Sequence, residues 1–312
     1  MMYDLIIIGS GPAGLTASIY ASRYKLSNLV IGKVLGGMMT LAHQVENYPG
    51  FPSISGPKLG QKMGEHAQAL GVEILTDGVA KIEKTGAGFK VTTESNKEFE
   101  AKTLILATGT ERRKLDVPGE EEYLGRGVSY CTNCDAPFFK EKIVALIGGS
   151  NAAVSGAIHV TAFAKKAFII YRRNQLRAEP IWVQRALANP KIEVIYNTNI
   201  TEIIGDGTKV TGVKLDEPFQ GLASLTLDGV FVEIGGVPGT KLVEQLGVEL
   251  DEAGFVKVKP DMATNIPGVF AAGDIANVTG EFQQIVTAAS EGALAVFSAF
   301  KYLKGLAKSS TC

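Results

Sequence analysis

At 312 residues the chain has room for about two domains, each able to bury its own core. Its 31 Lys+Arg offset 32 Asp+Glu, a formal net charge of −1 that speaks against nucleic acid or an anionic membrane as a partner. Three cysteines exclude a disulfide-stapled scaffold, and no apolar run reaches the roughly 18–20 residues of a membrane span. Met1-Met2-Tyr3-Asp4 lacks a basic region and the apolar run from Leu5 to Ile8 is too short for a signal peptide, so a cytoplasmic protein is expected. The 36 glycines and 46 % apolar content suit an α/β protein with many tight strand-to-helix turns.

Leu5-Ile6-Ile7-Ile8 is a β-branched run suited to a strand buried on both faces. Gly9-Ser10-Gly11-Pro12-Ala13-Gly14 follows and opens a helix from Leu15 to about Arg23. This is G-x-G-x-x-G between strand and helix: Gly9 for the tight turn, Gly11 for close approach to a pyrophosphate, Gly14 for helix–strand packing. A second strand spans about Asn28 to Ile31, and Gly32-Lys33 stands where a ribose-binding acid is expected. Gly36-Gly37-Met38-Met39 and Val45 to Gly50 are too rich in turn residues for regular structure. A helix from about Gly56 to Leu70 and strands near Val72–Leu75, Gly88–Thr93 and Leu104–Ala107 follow, the last ending in Thr108-Gly109-Thr110.

The charged stretch from Glu111 to Tyr123, broken by Pro118-Gly119, reads as a domain crossing. Beyond it stands Cys131-Thr132-Asn133-Cys134-Asp135, a Cys-x-x-Cys with an acid directly behind it. In an intracellular chain such a pair is redox-active or metal-binding. Zinc needs about four ligands; there is no second Cys pair, and His43, His66 and His159 are scattered, so no metal is expected. A strand from Ile143 to Ile147 leads into Gly148-Gly149-Ser150-Asn151-Ala152-Ala153, a degenerate glycine turn, and a helix to about Ala164. The strand Ala167–Tyr171 ends in Arg172-Arg173, with Arg177 close behind, a pattern suited to the 2′-phosphate that separates NADP from NAD.

Strands near Glu193–Tyr196, Lys209–Leu215 and Gly229–Ile234 precede a second crossing at Gly235 to Gly239. Gly268 to Asp274 is a buried strand delivering an acid, Asp274, at its C-terminal end, where open α/β sheets hold ligands. A helix from about Phe282 to Leu303 closes the fold, and Lys308 to Cys312 is a polar tail whose cysteine is expected to be a free thiol. Two nucleotide units with a dithiol between them describe an electron path from one nucleotide, through another, to sulfur.

Taken together, Gly9–Gly14, Gly36-Gly37, Val45–Gly50, Ala107-Thr108-Gly109, Cys131–Asp135, Arg172-Arg173 with Arg177, and Ala271–Asp274 resemble the low-molecular-weight thioredoxin reductases of bacteria and archaea over essentially the whole chain. The resemblance implies an α/β fold of two Rossmann-like domains, with an NADPH domain inserted into an FAD domain. Residues 1–112 and 242–312 would form the FAD domain, and 113–241 the NADPH domain with its dithiol. It implies that Gly9, Gly11, Pro12, Ala13 and Gly14 face the FAD pyrophosphate. Gly36, Gly37, Met38, Asn47, Thr108, Gly109, Gly273, Asp274, Gln284 and Ile285 would line the rest of that cofactor. Gly148, Ser150, Asn151, Ala152, Arg172, Arg173 and Arg177 would bind NADPH. Cys134 would be the flavin-side sulfur, Cys131 the one that attacks oxidised thioredoxin, and Asp135 their acid/base.

The resemblance further implies a homodimer, and turning of the NADPH domain about the two crossings. Phe138 and Phe139, beside the dithiol, are candidates for docking the partner protein, His43 lies in the flavin-side loop, and Trp182 reads as a packing residue. The chain departs from the family at Met38 (usually Gln), Ser150 (usually Gly), Ser155-Gly156 (usually with an acid) and Tyr171 (usually His). Those departures keep other readings open: a ferredoxin- or deazaflavin-fed reductase, a dithiol oxidase using oxygen, or a flavin-binding redox sensor.

Overall fold

The computed structural model describes residues 2–276, 278–280 and 282–305, so Cys312 and the tail from Lys308 lie outside the described residues. The chain divides into two compact units. The first contains 1–40, 45–111 and 237–312; the second contains 41–44 and 112–236.

The first unit opens with β1 (Met2–Ile8), α1 (Pro12–Arg23) and β2 (Asn28–Ile31). It continues with α2 (Gly56–Ala69), β3 (Glu73–Leu75), β4 (Val79–Thr85), β5 (Gly88–Thr93) and β6 (Glu98–Leu106). α1 starts at Pro12, earlier than the hydrophobic pattern indicates, because proline is pre-set for the first helical position. β4 buries only Ile82 and carries Lys81, Glu83 and Lys84, which hide it in the sequence; pairing with β5 makes it a strand. Gly37–Leu41 winds into a 3₁₀ turn and Val45 bridges Ile54, so the glycine-rich loops are more regular than their composition suggests.

The short β7 (Thr110–Arg112) leads into the second unit. There β8 (Val128–Ser129), α3 (Thr132–Asp135), β9 (Ile143–Ile147) and α4 (Asn151–Val160) follow in order. Next come β10 (Lys166–Tyr171), α5 (Pro180–Leu187), β11 (Ile192–Tyr196), β12 (Ile200–Gly205), β13 (Val210–Phe219), β14 (Leu222–Thr226) and β15 (Gly229–Val232). β16 (Gly236–Pro238) pairs with β7, so the two crossings run together as a ribbon. The chain then closes the first unit with α6 (Lys241–Glu244), β17 (Val269–Ala271) and α7 (Ile285–Leu303). α7 begins later than the sequence indicates, since Gln284 and Thr287 form a reciprocal cap that fixes its start.

In the first unit the sheet order is β3-β2-β1-β6-β5-β4, with β17 pairing the C-terminal half of β6. The β1 run from Leu5 to Ile8 shows why it is apolar throughout. Leu5 and Ile7 enter one core, with Ala13, Ala17, Ala288 and Ala295; Ile6 and Ile8 enter the other, with Leu104, Val243 and Val256. In the second unit the five-stranded sheet β11-β10-β9-β15-β8 is parallel. One face packs α4 and α5 through Val144, Leu146, Val154 and Trp182; the other packs the antiparallel sheet β12-β13-β14 through Ala145, Ile147, Val213 and Leu225.

α1 lies against α7 through small residues, and a Cβ added at Gly292 would come within 2.1 Å of the Ala13 carbonyl oxygen. Gly292→Ala therefore forces the helices apart, at an expected cost of about 1–3 kcal/mol in urea denaturation. Gly86→Ala, in open space, should stay within about 0.5 kcal/mol of the parent.

Candidate active site

The candidate flavin residues converge where parallel strands of the first sheet end. Gly9 has φ +115°, and its missing Cβ would lie 2.0 Å from the Ala107 carbonyl oxygen, which brings Thr108-Gly109 beside the turn. A Cβ on Gly37 would lie 3.0 Å from Gly11 Cα, so the Gly36-Gly37-Met38 loop closes on the same turn. Gly273, at φ +78°, would place a Cβ 2.9 Å from that of Ala13, which sets the Gly273-Asp274 turn against the first turn of α1. Asn47 Nδ2 donates to Gln284 Oε1 at 3.1 Å, one residue before Ile285 opens α7. Lys33, standing where a ribose acid is expected, is on the surface and pairs with Glu94.

Three features fit the flavin dinucleotide implied above. The N-terminus of α1 has neither a side-chain cap nor an acid in its first turn, which leaves its N–H groups for an anion. The Asp274 carboxylate has no hydrogen-bond partner among the described residues, and desolvation pushes its pKa up. Gln283 Nε2 is buried and unpartnered among the described residues. Sequence reasoning missed Gln283. It also missed Glu291 on α7, 6 % exposed, whose Oε2 accepts the Gly273 N–H at 2.7 Å. Its signal was a lone acid inside an Ala- and Gly-rich helical run.

The second unit repeats the turn. Gly148 has φ +138°, and its missing Cβ would lie 2.2 Å from the Glu233 carbonyl oxygen. Gly149 lies flush on the Tyr171 ring. Ser150 caps α4 with φ −87° and ψ 179°, extended backbone open to any residue, and its side chain makes no cap hydrogen bond. The turn therefore does not itself require glycine at 150. Ala152 lies in the first turn of α4. The arginine loop folds back over this turn: the Arg177 N–H donates to the Gly149 carbonyl at 2.7 Å. Asn151 Oδ1 accepts the Glu179 N–H at 2.7 Å, so that oxygen holds the loop. Arg172, Arg173 and Arg177 are exposed around it. A bare helix N-terminus beside exposed guanidinium groups fits a phosphate-bearing nucleotide. Beneath it Glu233, 3 % exposed, pairs with Arg112; burial pushes its carboxyl up while the guanidinium opposes that.

Cys131 and Cys134 form a disulfide with Cα atoms 5.3 Å apart, and the Cys134 N–H donates to Cys131 Sγ at 3.1 Å. Cys131 is half-buried, Cys134 exposed and Asp135 half-buried. The chain entering the pair is tied down twice: the Cys131 N–H donates to Ser129 Oγ, and Tyr130 Oη donates to Glu120 at 2.6 Å. Glu120, 2 % exposed, also accepts the N–H groups of Leu115 and Asp116, both at 2.8 Å. Burial, then that carboxylate, push the Tyr130 phenol up. Of the two aromatics, Phe138 is 73 % exposed while Phe139 is buried against Phe231. His43 belongs with the second unit and stacks on His159 at 3.6 Å; burial and that ring lower His159 to about 4.

The family model for pyridine nucleotide-disulphide oxidoreductases matches residues 3–292. A thioredoxin reductase of Listeria monocytogenes is 44 % identical over 310 residues, 99 % of this chain and 96 % of the relative. Among solved structures, the thioredoxin reductase of Lactococcus lactis superposes with a TM-score of 0.92 at 42 % identity, covering 97 % of this chain and 100 % of that one. The enzyme of T. acidophilum gives 0.90 at 39 %, covering 96 % and 98 %.

Glu120→Ala strips two part-buried N–H groups and one phenol of their acceptor. Loss of about 1–3 kcal/mol is expected from the first alone. Hydrogen exchange should show faster exchange at the Leu115 and Asp116 amides, with the amides of β1 unchanged.

Proposed function

Because the chain belongs to the pyridine nucleotide-disulphide oxidoreductase family, we propose how its residues carry out the thioredoxin reductase reaction. Two electrons pass from NADPH through FAD and the Cys131–Cys134 disulfide to oxidised thioredoxin. The observation that carries this is the disulfide itself, in a chain with two strand–turn–helix nucleotide units.

In this reading 1–112 and 242–312 form the FAD domain, and 113–241 the NADPH domain. The α1 N-terminus with Gly9, Gly11 and Gly14 would hold the FAD pyrophosphate, and Asp274 would accept a hydrogen bond from the cofactor. The α4 N-terminus would hold the NADPH pyrophosphate, with Arg172, Arg173 and Arg177 available to the 2′-phosphate. When bound, FAD supplies the hydride chemistry that couples NADPH oxidation to disulfide reduction. The Cys131–Cys134 bond takes up two electrons at Cys134 and breaks, leaving a Cys134 thiolate and a Cys131 sulfur protonated through Asp135. Asp135 then takes the Cys131 proton, and the Cys131 thiolate attacks the thioredoxin disulfide. A mixed disulfide forms and one thioredoxin thiolate leaves. Cys134 attacks Cys131 Sγ, re-forming the intramolecular bond and releasing the second thioredoxin thiolate. Phe138, exposed beside the pair, offers an apolar contact to that partner.

We further propose a cytoplasmic homodimer. Among the described residues no helix is long and apolar enough to cross a membrane. Val286, Leu294 and Phe297 of α7 are 38 %, 44 % and 45 % exposed, an apolar surface suited to a second copy. Phe297→Glu should shift the protein from dimer to monomer in light scattering; a monomeric parent at micromolar concentration would overturn the dimer.

Anaerobic titration tests the electron path. NADPH should bleach the flavin at near-stoichiometric amounts and NADH should not, while thioredoxin restores the colour. Cys131→Ser and Cys134→Ser should each still be bleached by NADPH but lose thioredoxin turnover by about 10³-fold or more. Bleaching by dithionite but not NADPH would point to another electron donor.

A further inference from the structure

Glu291 is a carboxylate buried where an anion is expected. It sits on α7 next to Gly292, whose missing Cβ would lie 2.1 Å from the Ala13 carbonyl oxygen. Its Oε2 accepts the Gly273 N–H at 2.7 Å, and Gly273 itself rests on Ala13. Glu291 therefore lies beside the first turn of α1 and behind the turn that presents Asp274. Gly273 has φ +78°, which glycine adopts without strain, so its own backbone does not fix the turn and the Glu291 carboxyl holds its N–H.

We propose that Glu291 is a positioning residue for the flavin nucleotide: it fixes the Gly273-Asp274 turn against α1 and makes FAD retention proton-linked. The inference rests on the first unit being the FAD site and deepens that reading.

The charge balance follows from the neighbours. Burial raises Glu291 to about 7, the Gly273 N–H lowers it, and the nearby Asp274 charge raises it. The elements packed against α7 supply little compensation. α1 has no acid in its first turn, and its Arg23 stands in the last turn. On β6, Glu98, Glu100 and Lys102 are exposed at the far end of the strand, with Lys102 paired to Asp4. β17 is apolar and leads only to Asp274. Bringing a pyrophosphate, a further negative group, to this turn favours the protonated carboxyl. The pKa is then higher in the FAD-bound state than in the free state. Affinity is greatest where Glu291 is protonated in both states and falls as pH rises through the free-state value toward the bound-state value.

The test is the FAD dissociation constant, read from flavin fluorescence released on diluting the holoprotein between pH 6 and 8.5. The parent should weaken by about three- to tenfold per pH unit above pH 7. Glu291→Gln keeps an acceptor for Gly273 without the charge, so it should bind within about twofold of the parent at pH 6.5 and show no pH slope. Glu291→Ala should bind about tenfold more weakly at pH 6.5, since the Gly273 N–H loses its acceptor. A flat parent profile, or a Glu291→Gln profile with the parent's slope, overturns the proposal while leaving the FAD site standing. A parent that retains no FAD at any pH overturns both.

Discussion

The contact on which the first unit depends is between two backbones. A Cβ on Gly14 would stand 1.9 Å from the Gly9 carbonyl oxygen, so α1 packs on the turn that precedes it with no side chain between. That closeness keeps the helix N-terminus bare and next to the ends of β1, β6 and β17. The same demand recurs outward: Gly273 against Ala13, Gly37 against Gly11, Gly292 against Ala13. Each glycine lets a neighbouring segment approach closely, and together they enclose the uncapped N-terminus of α1. A pyrophosphate in such a place is stabilised by N–H groups already oriented toward it.

The second unit uses the same turn with looser requirements. Gly148 is held by the Glu233 carbonyl and Gly149 by the Tyr171 ring, so neither has space for a side chain. Ser150 has ordinary extended backbone, and its departure from the family pattern is one of side chain rather than chain path. Tyr171 serves as the floor under Gly149. The arginine loop is tied to the turn by the Arg177 N–H and by Asn151, which couples the charged rim to the helix start.

Three buried glutamates show how differently one side chain is accommodated. Glu120 is satisfied by two main-chain N–H groups and the Tyr130 phenol, Glu233 by the Arg112 guanidinium, and Glu291 by one N–H beside a second acid. Glu120 has three donors; Glu233 has one guanidinium and Glu291 one N–H, and burial pushes both of their carboxyls up. Glu120 also orders the chain just before Cys131. Only a few side chains around the dithiol then remain open to solvent, Cys134 and Phe138 among them.

The sequence by itself determined what depends on near neighbours. Strand–glycine–helix punctuation marks both nucleotide turns, because turn and helix cap are local events. The two-residue spacing of Cys131 and Cys134 suffices for the disulfide. The apolar run Leu5–Ile8 of β1 announces burial on both faces, and β-branched runs mark the inner strands. β4 was hidden because its charged residues Lys81, Glu83 and Lys84 find a place in a strand only beside β5. Tertiary structure alone decided the rest. Asn47 meets Gln284 across 237 residues, Glu291 meets Gly273 through helix packing, and Phe139 turns inward while Phe138 turns out. Asn151 spends its side-chain oxygen on the Glu179 N–H, a partner supplied by the next strand–helix connection. The physical reason is common to all of these: a side chain's charge, exposure and partners are set by what distant segments bring to it, and no local pattern encodes that.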